Sequence, residues 1–286
     1  MNAVSPTCEL IFSGRAYYQS HNAVYNLLAH MEPGLVLDIG AASGGVCKLV
    51  ADASPDSRII GFEPFPGNWP YLTETVSSIP QATVDHRAAS DTNGPGKLYV
   101  SAVVTGREKG WEGRVGYSSS GALVNSDDKR YDDSVDVEMV RLDSLYDEKI
   151  RFLKIDVQGA EMSVLNGAQG LLEQGLVDFM WVEFTGETEI LAFVRSHGFE
   201  VFDSQYLIIP RNDPPTSDEW EVTETLDLSN GKVAYLAWPR EYPRSDKAYC
   251  EWLTAQRSQF IIQTDLTFVH HRFMRKFLTA AGKAAH

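Results

Sequence analysis

The order in which apolar runs, turn signals and helical spacings follow one another leaves this chain few architectures. Residues 35–39 form a short continuous apolar run, the pattern of a strand buried on both faces. The glycine-rich turn Gly40-Ala41-Ala42-Ser43-Gly44-Gly45 follows, and then helical spacing to about residue 53. A second strand at 58–62 is closed by Glu63-Pro64, and a helix over about 69–78 leads to a third strand at 82–86. These are β-α-β units, and a right-handed crossover between strands of one sheet makes that sheet parallel, with helices on its faces.

The alternation lapses between 97 and 142. Residues 97–104 and 134–142 read as strands around a polar stretch rich in glycine and serine, 106–133, with Trp111, Tyr117 and Tyr131. A connection of that length is usually functional, so 106–133 is the expected lid over a ligand. The buried-strand pattern resumes at 152–157, followed by a helix over 160–173, a strand at 178–184 and a helix over 187–197. Strands at 200–203, 206–209 and 232–238 lack helices between all of them, which suggests an antiparallel edge. The expected fold is α/β, a doubly wound and mostly parallel sheet. The expected organisation is an N-terminal helical segment at 1–32, with a helix over about 20–31, a main domain at 33–240 and a helical tail at 241–286.

Composition narrows the functional classes. A formal charge of −14 and a pI near 4.9 repel polyanions and argue against non-specific nucleic-acid binding. No stretch approaches the roughly 18 apolar residues of a membrane span, and residues 1–10 do not read as a secretory signal. Cys8, Cys47 and Cys250 are odd in number and widely scattered, so neither a disulfide framework nor a zinc pair is expected. A cytoplasmic protein acting on a small molecule fits. The basic tail with His270, His271, Arg272, Arg275, Lys276 and Lys283, interleaved with Phe268, Phe273 and Phe277, reads as a helix docking its aromatic residues on the body.

In a doubly wound sheet ligands sit beyond the carboxyl ends of the strands. At the first strand end, Asp38 holds the glycine turn or accepts from a ligand donor. A dinucleotide turn wants glycine at its middle place to admit a pyrophosphate; here that place is Ala42. At the second strand end, 25 residues beyond Asp38, Glu63 can accept from both hydroxyls of a ribose. These features indicate a nucleoside cofactor and leave adenosylmethionine and a nicotinamide both open.

The block Phe152-Leu153-Lys154-Ile155-Asp156-Val157-Gln158-Gly159-Ala160-Glu161, continued by Val164-Leu165-Asn166-Gly167-Ala168, together with the glycine turn and Glu63, resembles the FkbM family of methyltransferases, over roughly residues 36–184. The resemblance implies a class I methyltransferase fold, a seven-stranded sheet with an antiparallel last strand, and S-adenosylmethionine-dependent transfer to oxygen. It implies that Asp38, Gly40 and Gly44, with Ala41 and Ser43 in the same turn, hold the methionine part. Glu63 and Pro64 serve the ribose, Arg87 and Ala88 bound the adenine, and Asp156 and Gln158 complete the cofactor set. Ala42 departs from the asparagine that relatives often carry there.

Methyl transfer from a sulfonium is an in-line displacement that needs alignment, and a hydroxyl acceptor gains from a base. Asp156 is the first candidate base. Glu183, ending the next strand, would lie beside it, and the two carboxylates together could hold a divalent metal such as Mg²⁺. His86 is a further candidate base. Glu161 reads as a structural carboxylate at a helix start, Lys154 shares a strand face with Asp156, and Trp181 and Trp238 read as core strand residues. The expected acceptor is a hydroxyl of a sugar or other polyhydroxylated metabolite. The alternatives are an NAD-dependent oxidoreductase and a non-catalytic cofactor-binding protein.

Overall fold

The computed structural model describes residues 27–100, 133–184, 186–203, 220–227, 233–239, 247–248, 250–251 and 264–284. The expected lid at 106–133 except for Asp133, most of the expected N-terminal helix and the strand at 206–209 lie outside them. Among the described residues no helix is long and apolar enough to cross a membrane.

The main sheet has seven strands in the order β3-β2-β1-β7-β8-β12-β9. They are β1 (Leu35–Ile39), β2 (Arg58–Phe62), β3 (Ala82–Asp85), β7 (Ile150–Ile155), β8 (Val177–Phe184), β9 (Phe199–Asp203) and β12 (Thr264–His270). The last of them, β12, pairs antiparallel with β9, and the sheet is of the class I methyltransferase kind that the resemblance implied.

The chain divides into two compact units, Gly34–Glu183, and Met1–Pro33 with Phe184–His286. In the first, β1, β2, β3, β7 and β8 pair in parallel. Every residue of β1, β7 and β8 is buried, the consequence of helices on both faces, and this is why these strands read as unbroken apolar runs. Helix α1 (Gly45–Ala53) buries Cys47 and Val50, and α2 (Trp69–Ser77) buries Leu72 and Val76.

The helix expected over 160–173 is two, α3 (Glu161–Gly167) and α4 (Gln169–Glu173). A Cβ on Gly167 would lie 1.9 Å from the Ser90 carbonyl oxygen, so the chain passes Ser90 with its backbone bare. Beyond the break, Asp143 Oδ2 accepts from Gly170 N at 3.1 Å, satisfying a donor that a new helix start leaves open. Three further strands complete the unit: the short β4 (Ala88–Ala89) runs parallel to β6 (Asp133–Val140), which pairs antiparallel with β5 (Gly94–Val100). The spacing had indicated β5 and β6 but not β4.

In the other unit, helix α5 (Thr188–Ser196) buries Ile190, Leu191 and Val194. The strand expected at 232–238 is not part of the main sheet. It is β11 (Val233–Pro239), paired antiparallel with β10 (Trp220–Asp227) in a sheet of its own. The tail from 241 is not all helical either: β12 precedes α6 (Met274–Ala284). Asp265 to His270 are all buried, so this strand shows no two-residue alternation, and its Phe268 had been grouped with Phe273 and Phe277 as one helical stripe. His270 is a core residue: its ring packs edge-on against Phe199, and its Nδ1 accepts from Arg272 N at 3.1 Å.

Candidate functional site

The carboxyl ends of β1, β2 and β7 open on one cleft of about 250 Å³, near the lower end of small-molecule pockets. Three sets of residues line it. Gly40 to Ser43 follow β1, Glu63 to Phe65 with Asn68 follow β2, and Lys154, Asp156, Val157 and Gln158 end β7. Ala88 and Ala89 of β4 and Leu98 and Val100 of β5 close the apolar side.

The β1 turn is drawn tight. Gly40 N and Ala41 N both donate to the Phe62 carbonyl, at 3.0 and 2.9 Å. Gly40 has φ +82°, and a Cβ there would stand 1.9 Å from the Asp156 carbonyl oxygen, so β1 and β7 approach as closely as a bare backbone allows. Ala42 is left-handed, φ +49°, a conformation asparagine tolerates better than alanine.

Glu63 ties this turn to the next. Its Oε2 accepts from Ala42 N and its Oε1 from Phe65 N, both at 2.8 Å, and the Asn68 side chain also donates to the carboxylate. Burial raises Glu63 to about 7 against these lowering hydrogen bonds. The adjoining Trp69 ring is fixed by Nε1 donating to the Glu63 carbonyl at 2.9 Å.

Lys154 joins β7 to β1 from below. Its buried Nζ donates to the Gly40 carbonyl at 3.0 Å and lies 3.1 Å from Asp38 Oδ1 and 3.6 Å from Asp156 Oδ2. Asp38 also accepts from Cys47 Sγ at 3.4 Å, a thiol that burial and then the Asp38 charge push up and keep neutral.

The turn after β7 carries a second strained residue, Gln158 at φ +57°, a conformation that costs a non-glycine residue roughly 1–2 kcal/mol. Its Nε2 donates to Asp156 Oδ1 at 3.0 Å and to both oxygens of Glu183 at 2.9 Å. Glu161 supports the turn by accepting from Val157 N and Gly159 N. Burial raises its carboxyl, and its role is the structural one expected.

Of the expected cofactor residues, Gly40, Ala41, Ser43, Glu63, Pro64, Ala88, Asp156 and Gln158 line the cleft. Asp38 does not, being fully buried against Lys154 and Cys47. Gly44 does not line it either; a Cβ there would press on Leu72 and Thr75 of α2 at 3.0–3.2 Å, so its lack of a side chain serves helix packing. Arg87 turns to Asp85, which accepts from its Nε and Nη2. His86 is outside the cleft as well, its exposed ring tilted over Trp69 with centroids 4.1 Å apart.

Glu183 lies beside Asp156 as expected, but the Gln158 amide stands between the two carboxylates. An N–H donor aimed at both does not suit a cation, and among the described residues no three His, Cys, Asp or Glu side chains gather as metal ligands. Asp156 and Glu183 therefore do not fit a metal site. Sequence reasoning gave no site role to Lys154, Asn68, Phe65, Leu98 or Val100. Lys154 had been placed on one strand face with Asp156 but given no role, Leu98 and Val100 could have been read from sharing a face of β5, and no spacing marks Asn68.

Comparison with solved structures gives distant likenesses. An FkbM methyltransferase from Methylobacillus flagellatus KT is 15% identical with a TM-score of 0.42, over 74% of this chain and 46% of that one. This chain thus spans less than half of that protein's length. A precorrin-6y C5,15-methyltransferase from Geobacter metallireducens GS-15 is 10% identical with a TM-score of 0.40, over 93% and 97% of the two chains. An S-adenosylmethionine-dependent O-methyltransferase from Thermotoga maritima is 10% identical with a TM-score of 0.40, over 89% and 66%. No curated protein matches. The model of the methyltransferase FkbM domain matches residues 38–201, more than half of the chain, and with it the strands and turns that build the cleft: the chain belongs to the FkbM methyltransferase domain family.

Proposed function

We propose that this chain transfers the methyl group of S-adenosylmethionine to a hydroxyl oxygen of a small polyhydroxylated acceptor such as a sugar. The observation that carries the reading is the convergence of the glycine turn, the buried Glu63 carboxylate and the end of β7 on one cleft. The fit is chemical at each point. The turn Gly40 to Ser43 offers backbone groups along the cleft to an amino-acid moiety, Glu63 accepts from a ribose, and Phe65, Ala88, Ala89 and Leu98 offer apolar surface to a purine.

Adenosylmethionine supplies an electrophilic methyl on a cationic sulfur. The chain's part is to align the acceptor, exclude water and receive a proton. Of the three candidate bases, only Asp156 lines the cleft. Gln158 fixes one of its oxygens and Lys154 stands near the other, so the carboxylate is held oriented, placed to take the acceptor's proton as the oxygen attacks. Glu183 would steady Gln158 from behind. No step is assigned to a metal.

Calorimetry with adenosylmethionine and with adenosylhomocysteine tests the donor, and binding of neither overturns the reading. Incubation with methyl-labelled donor and a panel of sugars, other polyols, amines and carbon nucleophiles, read by mass spectrometry, tests the acceptor. Label transferred only to nitrogen or carbon acceptors would overturn oxygen as the nucleophile. NADH titrated under the same conditions should give no heat.

A further inference from the structure

The Glu63 carboxylate has less to offer a ribose than its position suggests. A carboxylate has about four acceptor sites. Ala42 N and Phe65 N each take one at 2.8 Å, and the Asn68 side chain takes a third. A cis-diol brings two hydroxyl donors to the roughly one site that is left.

Asn68 is placed to make up the difference. It is 2% exposed and lines the same cleft. It is carried there by the single 3₁₀ turn Pro66–Asn68, closed by Asn68 N donating to the Phe65 carbonyl at 3.0 Å. It is also the N-cap residue of α2, yet its side chain makes no capping bond. Its backbone is already helical there, φ −86° and ψ −21°, and Pro70 at the second helical place has no N–H to donate, so the side chain has no capping role. The side chain is turned toward Glu63 and the cleft instead. An amide is suited to both tasks there, because its nitrogen donates to the carboxylate while its oxygen can accept.

We infer that Asn68 is a ribose-binding residue that divides the diol with Glu63, each accepting from one hydroxyl. This rests on the nucleoside-donor reading above and adds to it a specific division of labour.

The test is calorimetric and needs no acceptor. Adenosylhomocysteine and its 2′-deoxy and 3′-deoxy analogues are titrated into the wild-type chain, Asn68→Ala, Asn68→Ser and Glu63→Gln, each checked for folding by circular dichroism. In the wild-type chain each missing hydroxyl should weaken binding by roughly 3- to 10-fold, the range for one hydrogen bond. Asn68→Ala should abolish the penalty for one deoxy analogue and leave that for the other, with Asn68→Ser giving the same pattern. Glu63→Gln should reduce the remaining penalty. Both penalties surviving in the Asn68 variants would overturn the division, as would both vanishing with Glu63→Gln alone. If the wild-type chain binds adenosylhomocysteine and the division fails, the donor reading stands; if it binds none of the three ligands, both fall.

Discussion

Replacing Gly40 by alanine probes the contact on which the cleft depends. The new Cβ would lie 1.9 Å from the Asp156 carbonyl oxygen and 3.0 Å from its carbon. Ordinary contact is near 3.5 Å, so about 1.5 Å must be recovered by moving backbone. Neither side can yield cheaply. Gly40 N and Ala41 N are bonded to Phe62 O, and Asp156 N donates to Ile39 O at 3.0 Å. The left-handed φ of +82° adds about 1–2 kcal/mol for a residue with a Cβ, and overpacking adds about 1–3 kcal/mol. The expected loss is therefore about 2–5 kcal/mol, a large part of a total stability of about 5–15 kcal/mol. It would be read as a lowered urea midpoint at unchanged slope, with binding of adenosylhomocysteine lost or greatly weakened. Gly45→Ala is the control, because a Cβ there meets nothing within 4 Å; its unliganded stability should be unchanged or raised by about 0.4–1 kcal/mol. A Gly40→Ala chain within about 1 kcal/mol of wild type would refute the close approach of β1 and β7.

Ala42→Gly releases a left-handed alanine at about 1–2 kcal/mol and gives back about 0.5–1 kcal/mol of chain entropy, so the melting temperature should rise by about 1–3 °C in a thermal scan. Lys154→Met strands the buried Asp38 carboxylate and should cost about 3–5 kcal/mol in denaturant, with Asp38→Asn in the same chain recovering much of the loss. Glu63 gives two opposite pH trends. Between its ordinary 4.5 and about 7 the folded chain holds the proton that the unfolded chain has released, so this group's contribution to unliganded stability falls as pH rises through that window. Adenosylhomocysteine affinity should instead rise from about pH 6 to about pH 8 as the carboxylate ionises and accepts from the ribose; Glu63→Gln should flatten both trends.

The parts of the fold legible in sequence were those where one physical demand dominates. The runs of β1, β7 and β8 are apolar because both faces are covered, and the helix periods of α1, α2 and α5 follow from one buried face each. Where two demands compete, reading failed. The α3–α4 break comes from Gly167 passing the Ser90 carbonyl, a contact 77 residues apart in the chain that no local window contains. Strand β12 was hidden because burial on all sides removes alternation and basic residues follow it. At the site, chain order located the strand ends but not the direction of side chains. Asp38 looked inward because Lys154, more than a hundred residues later, claims it. Arg87 is claimed by Asp85 two residues before it, a pairing that spacing alone leaves equally compatible with exposure to a ligand.

The charge balance of the cleft bears on how the proposed donor is told from its product. Lys154 is shared among Asp38, Asp156 and the Gly40 carbonyl, so one buried cation faces two carboxylates, with Glu63 ionising nearby. A sulfonium carries a positive charge that the thioether product lacks. At about 6 Å and an effective dielectric near 20, one carboxylate attracts it by about 3 kcal/mol. Lys154, 3.6 Å from Asp156 Oδ2, offsets part of this, leaving about 1.4 kcal/mol, or tenfold. Asp156→Asn removes that charge and keeps an acceptor for the Gln158 amide, so the shape of the turn should survive. The ratio of the adenosylmethionine to the adenosylhomocysteine dissociation constant should rise about tenfold in this variant, through loss of donor affinity alone. A ratio unchanged, with both ligands weakened equally, would mean that Asp156 acts through the turn and not through its charge on the transferred methyl's side of the cleft.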